Sequence, residues 1–368
     1  MNSKIKSAYV HIPFCNNICS YCDFCKLYYN KEWIKKYLES LELEIKTNYK
    51  GEILDTIYIG GGTPSSLSIE ELKELFRILK IFKLNENIEF TFECNIEDIT
   101  LDKIKILKEN KVNRLSIGVQ TFNSKHIKLL NRNHTKEEVF DKINLLKENG
   151  FDNINIDLIY AIPNQTLEEL EQDLDYFLKL DINHISTYSL IIEEHTKLYI
   201  QNYENIDEEL DLEMYKLINN KLSNYHHYEI SNFSKKGYES KHNLTYWNNN
   251  SYYGFGLGST GYDGKYRYTN TKNINKYLKN IWLSEKEEVS FNEKIENAFI
   301  LGFRKIDGIN IEEFKEKYGL DIDKLDIVNK LIKENKLIKD KNNIKINEDY
   351  IYLSNDILVE FLGGSYET

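Results

Sequence analysis

Four of the chain's five cysteines fall inside one run, HIPFCNNICSYCDFCK at residues 11–26. Cys15, Cys19 and Cys22 stand in a C-x-x-x-C-x-x-C spacing, and Cys25 trails three residues later. Thiols this crowded bind metal or do redox chemistry. A disulfide framework does not suit them in a reducing cell interior. Two metal readings stand: a zinc ion with four thiolates, and an iron–sulfur cube held by three. Zinc knots pair two separated C-x-x-C knuckles, and no second knuckle is present, which favours the cube. Cys94, far off in sequence, reads as a small buried residue.

Other unusual segments are GGGTP at 60–64, ECN at 93–95, GVQTF at 118–122 and IYAIP at 159–163. Consecutive glycines let backbone approach a ligand without side-chain obstruction, although a tight turn would use them equally well. No Gly-Lys-Ser/Thr follows, so GGGTP is not a phosphate loop. Glu93, Gln120, Arg132 and Asp157 are polar residues at or just past these places. Any one of them alone reads as a cap or a salt bridge.

The elements that must position these residues alternate two periodicities. Runs rich in β-formers at 7–12, 55–60, 88–93, 114–119, 154–159 and 184–191 read as continuously apolar strands, buried on both faces as in a parallel sheet. Between them lie helical patterns. Ile34, Tyr37, Leu38, Leu41 and Ile45 form one stripe, and Ser68/Glu71, Thr135/Glu138 and Thr166/Glu169 spell capping boxes. Six strand–helix repeats with right-handed crossovers predict an open, six-stranded (β/α)6 partial barrel of TIM type. The unusual segments each leave the C-terminal end of a strand, so all share one rim, where such barrels do chemistry.

Past about residue 200 the rhythm changes. A Tyr-, Gly- and Asn-rich stretch carries a hairpin turn at Asp263–Gly264, and from about residue 290 three helical patterns precede a second hairpin. The expected organisation is a barrel core at 1–200, an extension at 201–289 and a small winged-helix-like α+β domain at 290–368. With net charge −11, protein contact is the favoured use of that last domain and nucleic acid is not an expected partner. Hydrophobic residues are 41% and charged residues 29% of the 368, an ordinary globular balance. No apolar run is long enough to span a bilayer and the N-terminus lacks a signal-peptide apolar region, so a cytoplasmic address with at most peripheral membrane contact is expected.

The cysteine spacing, with aromatic Tyr21 before the third thiol, resembles the signature of the radical S-adenosylmethionine superfamily. The resemblance implies a [4Fe–4S] cluster on Cys15, Cys19 and Cys22, whose fourth iron chelates S-adenosylmethionine and whose electron cleaves it to a 5′-deoxyadenosyl radical. It also implies cofactor contacts at Tyr9, Tyr21, Gly61, Gly62, Thr63, Glu93, Gln120, Arg132 and Asp157, with Arg132 as a fork for the cofactor carboxylate. AYVHIPFC, YIGGGTPSSL, RLSIGVQTFN, NIDLIYAIPNQT and HNLTYW together resemble the HemW-type haem-chaperone family, relatives of oxygen-independent coproporphyrinogen III oxidase. Two features favour the chaperones over the oxidases. Phe24 stands where the oxidases carry a further cysteine, and the chain reaches Cys15 almost at once.

HNLTYW matches the family's haem motif and implies haem contacts at His242, Asn243, Tyr246 and Trp247, with apo-haem proteins as recipients. Without the resemblance, a lone histidine in a Tyr-rich stretch reads as structural. His226, His227 and Tyr246 are rival iron ligands. Cys25 departs from the family and is expected to be a free or redox-sensitive thiol outside the cluster. Three readings follow: a haem chaperone, a coproporphyrinogen III oxidase, and a zinc-stabilised regulator that binds nucleic acid.

Overall fold

The computed structural model describes residues 4–366. The first three residues of the barrel range and the last two of the C-terminal range lie outside it. Six strands run parallel in sequence order: β1 (Ser7–Ile12), β2 (Ile53–Gly61), β3 (Lys83–Asn95), β4 (Arg114–Gln120), β5 (Asn153–Tyr160) and β6 (His184–Ser189). The sheet is wider than six. The antiparallel strands β7 (His226–Glu229) and β8 (Asn232–Ser234) extend it beyond β6, and β9 (Tyr253–Phe255) lies parallel to β1 at the other edge, in the order β9-β1-β2-β3-β4-β5-β6-β8-β7. Strand β9 is three residues long, too short for a periodicity to announce it. At its centre Gly254 admits the backbone of Thr260, whose carbonyl oxygen would lie 2.1 Å from an added Cβ.

Helices fill the crossovers: α1 (Lys31–Asn48), α2 (Ile69–Leu79), α3 (Leu101–Glu109), α4 (Ser124–Leu129), α5 (Lys136–Glu148) and α6 (Leu167–Lys179). All three expected capping boxes are formed, at the starts of α2, α5 and α6. The predicted stripe of α1 is buried. Glu44 is buried with it, and its carboxylate accepts hydrogen bonds from Gly256 N, Asn270 Nδ2 and the Tyr277 hydroxyl. One helix face thereby ties the barrel to the extension.

The strands are not apolar on both faces, and this corrects the sequence expectation. Ala8, Val10, Ile57, Ile59, Phe90, Phe92, Leu115, Ile117, Ile154 and Ile156 belong to the core shared with the helices. The alternate positions Tyr58, Glu93, Arg114, Ser116, Asn155, Asp157 and Ser186 line a cavity inside the sheet's curve. The register keeps the two sets in separate rows, Phe92 beside Leu115 and Glu93 beside Ser116. The barrel is oily outside, under its helices, and polar within.

Beyond β6, α7 (Glu208–Lys221) precedes β7, and α8 (Lys241–Trp247) holds the HNLTYW segment. The hairpin at Asp263–Gly264 joins Thr260–Tyr262 to Tyr266–Asn270, with Asp263 Oδ1 accepting from the amides of Lys265 and Tyr266. A second core gathers Ile295, Phe299, Phe303, Phe314, Val328, Leu331, Leu337, Ile344 and Phe361. Helices α9 (Phe291–Gly302), α10 (Ile311–Tyr318) and α11 (Asp326–Lys333) build it with the hairpin Leu337–Asp340/Asn343–Ile346. Among the described residues no helix is long and apolar enough to cross a membrane.

Candidate functional site

The thiol-rich loop leaves β1 and is closed at its neck. Leu27 N donates to Pro13 O at 2.7 Å and Tyr29 N to Cys15 O at 2.9 Å, a short parallel ladder. Its middle is tied to the end of α4. Asn17 Nδ2 donates to Asn131 O at 2.6 Å, Asn131 Nδ2 returns a bond to Asn17 Oδ1, and Ser20 N donates to Leu130 O. His11 fastens the far side. Its Nε2–H donates to the Cys25 carbonyl at 2.7 Å, which leaves Nδ1 to accept from the Tyr9 hydroxyl at 2.9 Å. Burial holds this imidazole neutral, its pKa pushed down to about 4.

Within the loop the thiols meet donors. Thr63 Oγ1 donates to Cys15 Sγ, and Arg132 Nη1 to Cys19 Sγ, both at 3.4 Å. Burial pushes the Cys15 thiol up to about 11 and raises Cys22, and the charges of the neighbouring thiols add to both shifts. All five cysteines are free. The field at Cys25 comes from Lys272 and Lys26 and not from the other thiols, and its sulfur lies against Gly258. Among the described residues no three His, Cys, Asp or Glu side chains converge on a single metal ion. The thiols of Cys15, Cys19 and Cys22 lie within each other's field, and two of them accept hydrogen bonds, a donor set that would suit a multi-iron group.

Gly60–Thr63 runs alongside. Gly62 N donates to Ile12 O and Thr63 N to Phe14 O, both at 2.9 Å. Gly61 has φ +128°, and an added Cβ would lie 2.8 Å from Ile12 O. On Gly62 it would lie 2.6 Å from Pro13 O and 2.8 Å from Cys15 Sγ. Gly62→Ala is therefore expected to displace the first thiol. It should lower stability by roughly 1–3 kcal/mol and cut the iron retained on reconstitution, read by denaturant titration and iron analysis.

Glu93 closes this corner. Its Oε2 accepts from Gly61 N at 3.0 Å and its Oε1 from the Tyr58 hydroxyl at 2.7 Å. Burial, with the Asp157 charge nearby, pushes the carboxyl up to about 7. Asp157, raised by burial as well, accepts from Asn155 Nδ2 at 2.9 Å. Gln120 ends β4 in the left-handed region, φ +74°, with its Oε1 buried and unpartnered. Left-handed backbone at a non-glycine residue is strain of the kind that functional sites hold. Arg132, whose Nη2 donates to Gly118 O, also has an unpartnered Nε. Tyr21, Cys22, Glu93, Gln120 and Asp157 line one cavity of about 360 Å³, and Tyr9 packs against Tyr58 in its wall; Thr63 and Arg132 stand at Cys15 and Cys19, outside its lining.

The HNLTYW residues do not gather on that rim. Helix α8 packs against the N-terminal side of the barrel, where the Glu89 carboxylate caps it by accepting from the amides of Lys241 and His242 at 3.0 and 2.9 Å. His242 is 1% exposed, and both ring nitrogens are engaged, Nδ1 with Thr56 Oγ1 and Nε2 with the Tyr246 hydroxyl, each at 2.8 Å. Burial and the Arg114 charge hold its pKa down to about 3. Trp247 lies under the Arg304 guanidinium at 4.7 Å, and only Asn243 of the four faces the cavity. Of the rivals, His226 bonds Glu239, while His227 stacks on Phe233 and bonds the Ile230 carbonyl.

Sequence reasoning missed the cavity's inner wall: Tyr58, Arg114, Ser116, Asn155, Ser186 and Tyr188. The signal was the period-two alternation in RLSIGVQ and NINIDLI, which reads apolar on one face only.

The radical SAM superfamily pattern matches residues 9–177. Across the chain, heme chaperone HemW of Lactococcus lactis subsp. lactis is 41% identical over 374 residues, covering 98% of each chain. Heme chaperone HemW of Bacillus subtilis is 39% identical, covering 98% of this chain and 100% of that one. Among solved structures, coproporphyrinogen III oxidase (HemN) from Escherichia coli superposes with TM-score 0.85 at 22% identity, over 98% of this chain and 91% of that one. That likeness fixes the fold.

Proposed function

Because the chain belongs to the radical SAM superfamily and, within it, to the family of the HemW heme chaperones, we propose that it binds haem and hands it to apo-haem proteins in the cytoplasm. What supports this reading above all is similarity to the two chaperones over 98% of the chain. The site geometry supports the accompanying cofactors. Cys15, Cys19 and Cys22 would hold a [4Fe–4S] cluster, and Tyr9, Tyr21, Gly61, Gly62, Thr63, Glu93, Gln120, Arg132 and Asp157 would surround S-adenosylmethionine. When bound, the cluster supplies an electron and an open iron to the sulfonium cofactor.

The chain's own groups prepare that place. Thr63 and Arg132 donate hydrogen bonds to two of the sulfurs, and at Cys15 that bond favours the thiolate against the burial that raises it. Glu93, poised near neutral pH, accepts hydroxyl donors whether or not it carries a proton. His242, Asn243, Tyr246 and Trp247 are the residues proposed for haem.

The oxidase reading remains the competitor, because the fold is shared with coproporphyrinogen III oxidase. Phe24 argues for the chaperone, since it puts a phenyl ring where the resemblance gives the oxidases a thiol. The test is anaerobic. Reconstituted protein is titrated with haem, and separately incubated with coproporphyrinogen III, S-adenosylmethionine and a reductant. Saturable haem uptake without protoporphyrinogen is the expected result; protoporphyrinogen formation would overturn it.

A further inference from the structure

The floor of the barrel cavity contains a guanidinium with nothing to hold. Arg114 opens β4, is 2% exposed and lines the cavity, yet its side chain makes no hydrogen bond or ion pair with any described residue. Its Nε is buried without a partner. A buried cation left in this state is strongly disfavoured, and such groups are ordinarily paired.

The neighbours bond one another and not Arg114. Asn155 donates to Ser116 Oγ and Asp157 Oδ1, and its Oδ1 accepts from His184 and Ser186. Glu93 is taken by Tyr58 and Gly61. Arg114 acts on its surroundings only through space: its charge helps keep His184 and His242 neutral and opposes the rise at Glu93 and Asp157.

A second unengaged group faces the same space. Asn243 lines the cavity from α8, its amide N donating to Ser240 Oγ while its side chain bonds no described residue. At the opposite end the mouth mixes apolar surface with the carboxylates of Asp23 and Glu193. Phe24 and Ile191 line it at 66% and 63% exposure, with Tyr188 at 42%. The cavity thus grades from exposed ring and alkyl surface to an unpaired cation and carboxamide.

We propose that Arg114 and Asn243 form a carboxylate-binding subsite in the barrel floor, which receives the acid group of a ligand whose apolar part rests on Phe24, Tyr188 and Ile191. A guanidinium presents parallel N–H donors that match a carboxylate, and the Asn243 amide adds a third donor. Two sources carry that chemistry, a porphyrin propionate and, in place of the Arg132 fork that the resemblance gives it, the amino-acid end of the sulfonium cofactor. The proposal rests on the chaperone reading and specifies how its ligands are gripped.

The test compares acid and neutral ligands on reconstituted protein. Haem is titrated against haem dimethyl ester, and S-adenosylmethionine against its decarboxylated form, in wild type and in Arg114→Gln. In one pair the preference for the acid is expected to shrink about tenfold or more in the variant, the loss of a charge-assisted bond. That pair identifies the source. A preference unchanged in both pairs overturns the subsite. Asn243→Asp gives a second reading that does not depend on the arginine variant folding. Its added anion should weaken the acid ligand and spare the ester or the decarboxylated cofactor, and equal effects on both would also overturn the proposal. Wild type that binds no haem at all would instead defeat the chaperone reading, and the cofactor pair would then decide the subsite alone.

Discussion

Cys22→Ala protein reconstituted anaerobically is expected to hold no iron–sulfur cluster, while Cys25→Ala holds a full one. The cubane needs three thiolates, because the fourth iron must stay open to a ligand, and losing one of three removes a corner's only protein bond. Cys22 is the fairest of the three to remove. Cys15 is buried against Thr63 and Gly62, and Cys19 receives Arg132, so alanine there would also disturb the scaffold. Cys25 differs in its surroundings. It lies beside Gly258 in the field of Lys272, and only its carbonyl is used, by His11. Alanine preserves that carbonyl. Iron and sulfide analysis with visible absorbance reads both variants. Cluster loss in Cys25→Ala would make it a ligand and close the open corner on which the cofactor reading depends.

How much of the molecule is legible in its sequence depends on the range of the interactions. Capping boxes involve residues three apart, so all three can be read from the chain alone. The cysteine loop is legible for the same reason, and so is the Asp263–Gly264 turn. The order of β1 to β6 follows from alternation with helices. Strand β9 does not, since it is three residues long and its place beside β1 is set by partners some 200 residues away, Glu44 with Gly256 and Tyr37 with Leu257. The polar barrel interior is misread because Ile and Val dominate the outward positions and mask the alternation. Arg114, the first residue of its run after Asn113, looks like a strand edge. Nor does spacing reveal that α8 turns His242 away from the rim, because that depends on Glu89 and Thr56 in two distant strands.

That orientation sets the last prediction. For His242 to ligate haem iron, one ring nitrogen must present a lone pair, and both are now engaged in a buried site. Removing the Tyr246 hydroxyl frees Nε2. Tyr246→Phe is therefore expected to bind haem several-fold more tightly, since one neutral hydrogen bond is worth about 1 kcal/mol net. His242→Ala should abolish that binding, read by haem absorbance. It should also cost roughly 2–4 kcal/mol of apo-protein stability, from the void and from Thr56 and Tyr246 left unpaired. The two effects separate with His242→Gln, which refills most of the space. Acid provides an independent check on burial. The folded pKa, about 3, lies below the ordinary 6.5, so the unfolded chain takes up this proton first. The neutral ring thus contributes stability that is fully present above pH 6.5 and is lost as pH falls toward 3. Wild type should lose stability with acid more steeply than His242→Gln, by up to one proton, about 1.4 kcal/mol per pH unit. Haem affinity unchanged in both Tyr246→Phe and His242→Ala, together with that altered acid slope, would make His242 the plug of the barrel and move the iron to another ligand.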